Sequence, residues 1–148
     1  MQKILQQDGD SLDEPYIIRT APTGAAASNI EGQTLHTAFG LPFDNKHNSL
    51  PDKSRDQKRT LMRNLKLVII DEVSLMKADM LYQLDLRLQE VKEKVGTPFG
   101  GVGIITFGDL MQFPPTMGRY VFDEPSNPEF KITHSLEPRW SLFSSVLL

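Results

Sequence analysis

The chain reads as an α/β fold, a parallel sheet flanked by helices. Two features point there. Strand-like and helix-like segments alternate between residues 16 and 107, and two of the strand-like runs are unbroken stretches rich in Val and Ile. Each strand-like run is also followed at once by a polar or Gly-rich cluster, as expected where a sheet presents its carboxyl edge to a ligand.

Tyr16-Ile17-Ile18-Arg19-Thr20 reads as a short strand, entered from the Asp/Gly/Ser-rich stretch 8–15. Pro22-Thr23-Gly24 punctuates, and Ala25 to Ile30 is helix material that stops at Gly32. Leu67-Val68-Ile69-Ile70 is an apolar run ending in Asp71-Glu72, the pattern of a strand buried on both faces. From Lys77 to Glu93, Leu81, Leu84, Leu88 and Val91 recur at helical spacing and mark one helix face. Val102 to Phe107 reads as a second buried strand running into Gly108-Asp109. Strand–helix alternation of this kind implies crossover connections and a parallel sheet. Thr20 to Gly24, Asp71-Glu72 and Gly108-Asp109 should then meet at one edge. Asp123 to Pro128 is the best candidate for a long exposed loop.

With 148 residues, the chain is one domain or a piece of one, at about 100–200 residues per domain. An apolar fraction of 39% with 24% charged residues is ordinary for a globular chain. No apolar run is long enough to span a bilayer, and the start is too polar for a signal peptide. The lack of cysteine excludes disulfides, cysteine-ligated zinc and a cysteine nucleophile. A net charge of −3 means that nucleic-acid binding must come from a local patch. Residues 44–66 carry seven basic against three acidic side chains. They read as a basic insertion or loop, either a solvated face or a nucleic-acid-facing patch.

The polar groups at the strand ends suit phosphate chemistry. Asp71 is placed to hold a divalent cation, since magnesium takes oxygen ligands and keeps several waters beside phosphate. Glu72 can orient or deprotonate an attacking water. Gln112 can donate to a terminal phosphate oxygen or hold the water in line, with Pro114-Pro115 fixing the backbone after it. Each residue also has a plain structural reading. Asp-Glu after a strand makes a helix N-cap with a first-turn acid, and a lone Gln is an ordinary surface residue.

Ala21-Pro22-Thr23-Gly24-Ala25-Ala26-Ala27 resembles the motif after the second strand of superfamily 1 helicases. Gly32 to Phe39, reading GQTLHTAF, is similar to the Thr-Ile-His segment of the Pif-one-like group. Leu67 to Met76 resembles that group's Walker B motif, and Gly108 to Pro115 its third motif. Gly118 to Phe122 and Trp140 to Phe143 also resemble it, particularly the Helitron-transposon and animal variants. The resemblance covers residues 16 to 148 and implies an incomplete P-loop NTPase (RecA-like) domain of an ATP-dependent DNA helicase.

The resemblance implies ATP and Mg2+ as cofactors, and single-stranded DNA and duplex junctions as partners. It implies 5'-to-3' translocation in DNA repair, recombination, telomere or transposon maintenance, in the nucleus if the source is eukaryotic and otherwise in the cytoplasm. No membrane or secretory role is expected. Asp71 resembles the magnesium-binding Asp, Glu72 the catalytic Glu, and Gln112 the residue that senses the γ-phosphate. Thr23 and Gly24 resemble a contact to the single-strand phosphate backbone, which suits a hydroxyl and backbone N–H groups. His36 resembles a DNA-contacting residue. Phe39 is a candidate for stacking on a base, with a core position as the alternative.

The sequence departs from this pattern in one respect. It contains no Gly-rich loop ending in Gly-Lys-Ser or Gly-Lys-Thr, the element that cradles ATP phosphates. In the family that loop lies just upstream of Met1, and the second motor domain with its arginines lies downstream of Leu148. The expectation is therefore a partial first motor domain. Since one arginine finger alone is worth about 10³–10⁵ in rate, the isolated chain is expected to be inactive, with exposed sheet edges that invite aggregation. Two other readings are a non-catalytic remnant that binds DNA or protein, and a different P-loop ATPase of relaxase-linked or recombination-complex type.

Overall fold

The computed structural model describes residues 14–111, 115, 118–133 and 139–144. Among the described residues, four strands form one sheet: β1 (Ile17–Ala21), β2 (Gln33–Thr34), β3 (Leu67–Ile70) and β4 (Gly103–Thr106). Their order is β2-β1-β3-β4 and every pairing is parallel. The α-helices of the described residues are α1 (Gly24–Asn29), α2 (Leu35–Phe39), α3 (Asp52–Leu61), α4 (Ala78–Val91) and α5 (Pro128–Thr133).

The register brings Thr20 opposite Ile70, and Ile70 opposite Thr106. The chain leaves β1 toward β2 on one side and leaves β3 toward β4 on the other. Connections that diverge in this way open a crevice between β1 and β3 at their carboxyl ends, where ligands bind in open α/β sheets.

The main core joins Leu35 and Phe39 of α2 and Leu81, Leu84 and Leu88 of α4 to Val68 and Ile70 of β3. A leucine stripe of this kind stabilises strongly, since truncating one buried Leu to Ala costs about 2–5 kcal/mol. A second, smaller cluster of Ala21, Ala26 and Ala27 packs α1 on β1. Small residues there permit close approach, and Gly32 extends it: a Cβ at Gly32 would lie 2.4 Å from the Arg19 carbonyl oxygen.

Several sequence expectations are corrected. β3 buries Val68 and Ile70, but Leu67 and Ile69 on the opposite face are only half-buried. β4 is not a buried strand. It is the last in the sheet order, and it leaves Ile105 at 44% and the following Phe107 at 51% exposure.

The basic segment 44–66 is not simply a loop, because residues 52–61 form α3. Lys58 Nζ donates to the Ala38 carbonyl at 2.8 Å, at the end of α2. Arg59 pairs with Glu93 at 3.3 Å, Arg63 grips Glu14 through two nitrogens at 2.8 and 3.1 Å, and Arg55 pairs with Asp52. Much of the basic charge is thus engaged within the fold.

The Asp123–Pro128 segment is tied down as well. The buried Asp79 carboxylate accepts the backbone N–H groups of Ser126 and Asn127 at 3.1 and 2.8 Å. Asn127 Nδ2 donates onward to the Asn45 carbonyl at 2.7 Å.

Candidate nucleotide and nucleic-acid site

The expected convergence of three strand ends takes place through backbone hydrogen bonds. The Asp71 N–H donates to the Thr20 carbonyl at 2.9 Å, joining the ends of β1 and β3. The Phe107 N–H donates to the Ile70 carbonyl at 2.8 Å, and the Val73 N–H returns to the Phe107 carbonyl at 2.9 Å. Thr20, fully buried, adds its hydroxyl to the Ile69 carbonyl at 2.9 Å. Thr20 opens the first of the three strand-end clusters, and its side chain and carbonyl are both used to join β1 to β3.

Asp71 is half-buried at the mouth of the crevice and Glu72 is exposed beside it. Asp71 Oδ1 accepts the Glu72 N–H at 2.9 Å. Glu72 occupies the left-handed region (φ 51°, ψ 47°) ahead of the single turn Val73–Leu75. A non-glycine residue held there is a strained position, of the kind that concentrates at functional sites.

Gly108 completes the edge. Its φ is +144°, and a Cβ would lie 2.9 Å from the Val73 nitrogen. Only glycine lets the end of β4 lie this close to the turn after Asp71 and Glu72. Asp109 spends Oδ1 on the Met111 N–H at 2.9 Å. Gln112 lies outside the described residues.

The residues present fit a magnesium–phosphate site of one kind. Among the described residues no group of three His, Cys, Asp or Glu side chains forms a protein cage for a metal. Magnesium beside phosphate does not need one, because one or two carboxylates suffice when waters and phosphate oxygens complete the octahedron. Asp71 is the carboxylate available for that position.

The residues expected at DNA divide into three groups. Thr23 is the N-cap of α1 and its Oγ1 accepts the Ala26 N–H at 3.3 Å. Gly24 is exposed, with open space where a Cβ would stand. The backbone is therefore accessible at this point, next to the β1 end of the crevice.

His36 is half-buried on α2, whose N-cap Thr34 accepts the Thr37 N–H at 3.2 Å. Burial and the nearby Lys77 cation hold the His36 pKa below the ordinary imidazole value. Its ring stacks on Phe43, with centroids 4.4 Å apart and planes 8° from parallel.

Phe39 does not belong to a DNA surface. Its exposure is 0%, within the main core, so no base can reach its ring. Phe39 follows Leu35 by one helical turn, so the two share the face of α2 that is buried in the core.

Comparison with known proteins fits this geometry. A family model described as PIF1-like helicase matches residues 5–137. The ATP-dependent DNA helicase RRM3 of Saccharomyces cerevisiae is 36% identical over 118 residues, covering 78% of this chain and 16% of that protein. The ATP-dependent DNA helicase PIF1 of Homo sapiens is 33% identical over 107 residues, covering 71% and 16%. The chain thus spans about one sixth of the length of these relatives. Among solved structures, Bacteroides sp Pif1 in complex with ADP-AlF4 superposes with a TM-score of 0.65 at 37% identity, covering 74% of this chain and 29% of that one. Bacteroides Pif1 bound to ssDNA gives a TM-score of 0.58 at 40% identity, covering 68% and 24%.

Proposed function

We propose a function from one premise: the chain belongs to the PIF1-like helicase family. In this reading it forms part of the first motor domain of an ATP-dependent DNA helicase, contributing the hydrolytic edge of the ATP site and a stretch of the single-strand track. The observation that carries it is the convergence at one sheet edge of Asp71, Glu72 and Gly108, joined by the bonds between Asp71 and Thr20 and between Val73 and Phe107.

Each residue then has a physical task. Asp71 would hold Mg2+ through water or directly, and the ion would supply neutralising charge beside the transferring phosphoryl group. Glu72, exposed and with its backbone N–H held by Asp71 Oδ1, takes the proton from the attacking water. Gln112 senses the terminal phosphate. Thr23 and Gly24 meet a strand phosphate through hydroxyl and backbone N–H groups, and His36 adds a further contact to the strand. ATP is the nucleotide in this reading. The related Bacteroides proteins, solved with ADP-AlF4 and with ssDNA, support both ligand classes.

The test uses the native coding region, expressed with and without Glu72→Gln, with phosphate release measured in the presence and absence of single-stranded DNA. DNA-stimulated release that falls by about 10²–10⁴-fold in the variant supports the assignment. Release unaffected by Glu72→Gln would remove Glu72 from the chemistry. A native product without any release, but with DNA affinity that drops steeply with salt, would favour a binding module instead.

A further inference from the structure

Phe43 is 89% exposed, yet its ring is not free to wander. One face is covered by the His36 imidazole at 4.4 Å and 8°. The backbone beyond it is clamped from below. Gln83, a buried residue of α4, donates from Nε2 to the carbonyls of both Asp44 and Lys46, at 2.6 and 2.7 Å. The Asn127 amide holds the Asn45 carbonyl between them. Three successive carbonyls after Phe43 are therefore fixed by side chains from distant parts of the chain.

The main core does not include Phe43. Its ring is held in water by a loop that Gln83 and Asn127 fix, so the open ring face is presented in one orientation. Beside the two rings a cavity of about 120 Å3 is lined by His36, Phe43, Asp44, Asn45, Lys77 and Gln83. Lys77 supplies the cation there, close enough to His36 to depress its pKa.

We propose that Phe43, backed by His36, is a stacking platform for a base of single-stranded nucleic acid, with Lys77 beside it for the adjoining phosphate. This rests on the DNA-binding reading above and deepens it. An aromatic pair with one open face and a neighbouring cation matches the alternation of base and phosphate along a strand. Such stacking tolerates any base, because each has a π-face. The lowered His36 pKa favours the neutral ring, so Lys77 is the cation among the cavity's lining residues, with Asp44 as its acidic neighbour. The platform takes the role that the sequence suggested for Phe39, four residues earlier.

The experiment measures binding of the native product that carries this chain to a fluorescent oligo-dT containing a single 2-aminopurine, by anisotropy and by 2-aminopurine quenching. The variants are Phe43→Ala, Phe43→Leu, Phe43→Trp, Lys77→Ala and Thr23→Ala. Phe43→Ala should weaken binding by about 5- to 100-fold and abolish quenching. Phe43→Trp should keep both, and Phe43→Leu should behave as Phe43→Ala. Thermal melts should not move for the Phe43 variants. Lys77→Ala should reduce the slope of log affinity against log salt by about 0.7.

Phe43→Leu binding as wild type would overturn the platform, since an apolar contact would then suffice. Full affinity in Phe43→Ala, with a loss in Thr23→Ala, would overturn the platform while leaving the DNA-binding reading standing. A wild-type native product with no affinity for the oligonucleotide would overturn both.

Discussion

Asp71 Oδ1 accepts the backbone N–H of Glu72 at 2.9 Å, so the first acid of the pair holds the second in place. The bond spans adjacent residues and stabilises a left-handed backbone at Glu72. Without such support that conformation costs a non-glycine residue about 1–2 kcal/mol. Two carboxylates that are neighbours in sequence thereby become distinct, one tethered and half-buried at the crevice, the other exposed.

The strain at Glu72 separates stability from chemistry. Glycine accepts φ 51° without penalty but adds freedom to the unfolded chain. Glu72→Gly should therefore unfold in urea within about 1 kcal/mol of wild type, while DNA-dependent phosphate release by the native product is lost. A destabilisation well beyond that would show that the Glu72 side chain has a structural role.

Gly108 should not tolerate a side chain. An alanine Cβ would lie 2.9 Å from the Val73 nitrogen and 3.2 Å from its Cγ1, at a φ of +144°. Gly108→Ala is expected to lose about 2–3 kcal/mol by thermal or urea unfolding. Adding Val73→Ala should recover little, because the nearest atom is backbone. Substantial recovery in the double variant would place the clash at the Val73 methyl instead.

Asp85 is the electrostatic centre of the core. Fully buried, it accepts the Phe99 N–H at 2.6 Å and Gln89 Nε2 at 3.0 Å, and Arg139 Nε lies 2.7 Å from Oδ2. Asp85→Ala leaves these donors uncompensated and should cost about 3–5 kcal/mol, as expected when one partner of a buried pair is removed. Chemical denaturation measures it. A loss under 1 kcal/mol, on the order of a surface ion pair, would mean that water reaches the pair.

His36 confers a pH dependence. Burial, and secondarily Lys77, lower its pKa below the ordinary value of 6.5. The unfolded chain therefore binds the proton more readily than the folded one. The His36 contribution is complete above about pH 6.5 and is lost as pH falls from there toward the lowered folded value. Urea midpoints measured from pH 7.5 down to 5 should fall, and His36→Asn should flatten that part of the profile. An unchanged slope in the variant would assign the effect to other groups.

Legibility in the sequence followed periodicity. β3 and α4 stand within two residues of where the LVII run and the leucine spacing place them. α3 had no such signal, because none of its ten residues is buried, and it is held by charges such as Lys58 on the Ala38 carbonyl. α2 is five residues long, too short for a period to emerge. At the site, Asp71, Glu72 and Gly108 were legible as strand ends. Phe43 was not, because Leu41-Pro42-Phe43 resembles any apolar loop.

Local patterns along the chain set the alternation of strands and helices, the parallel sheet, and the polar residues at its carboxyl edge. In these patterns apolar runs and helical spacing leave one solution for the backbone. Tertiary structure decided which apolar residues are core and which are surface. Phe39 is sealed and Phe43 displayed, Val68 is covered and Ile105 exposed at the sheet's last strand. Burial is a property of what stands beside a residue, and those neighbours come from α4, β4 and the Asn127 segment, far away in the chain.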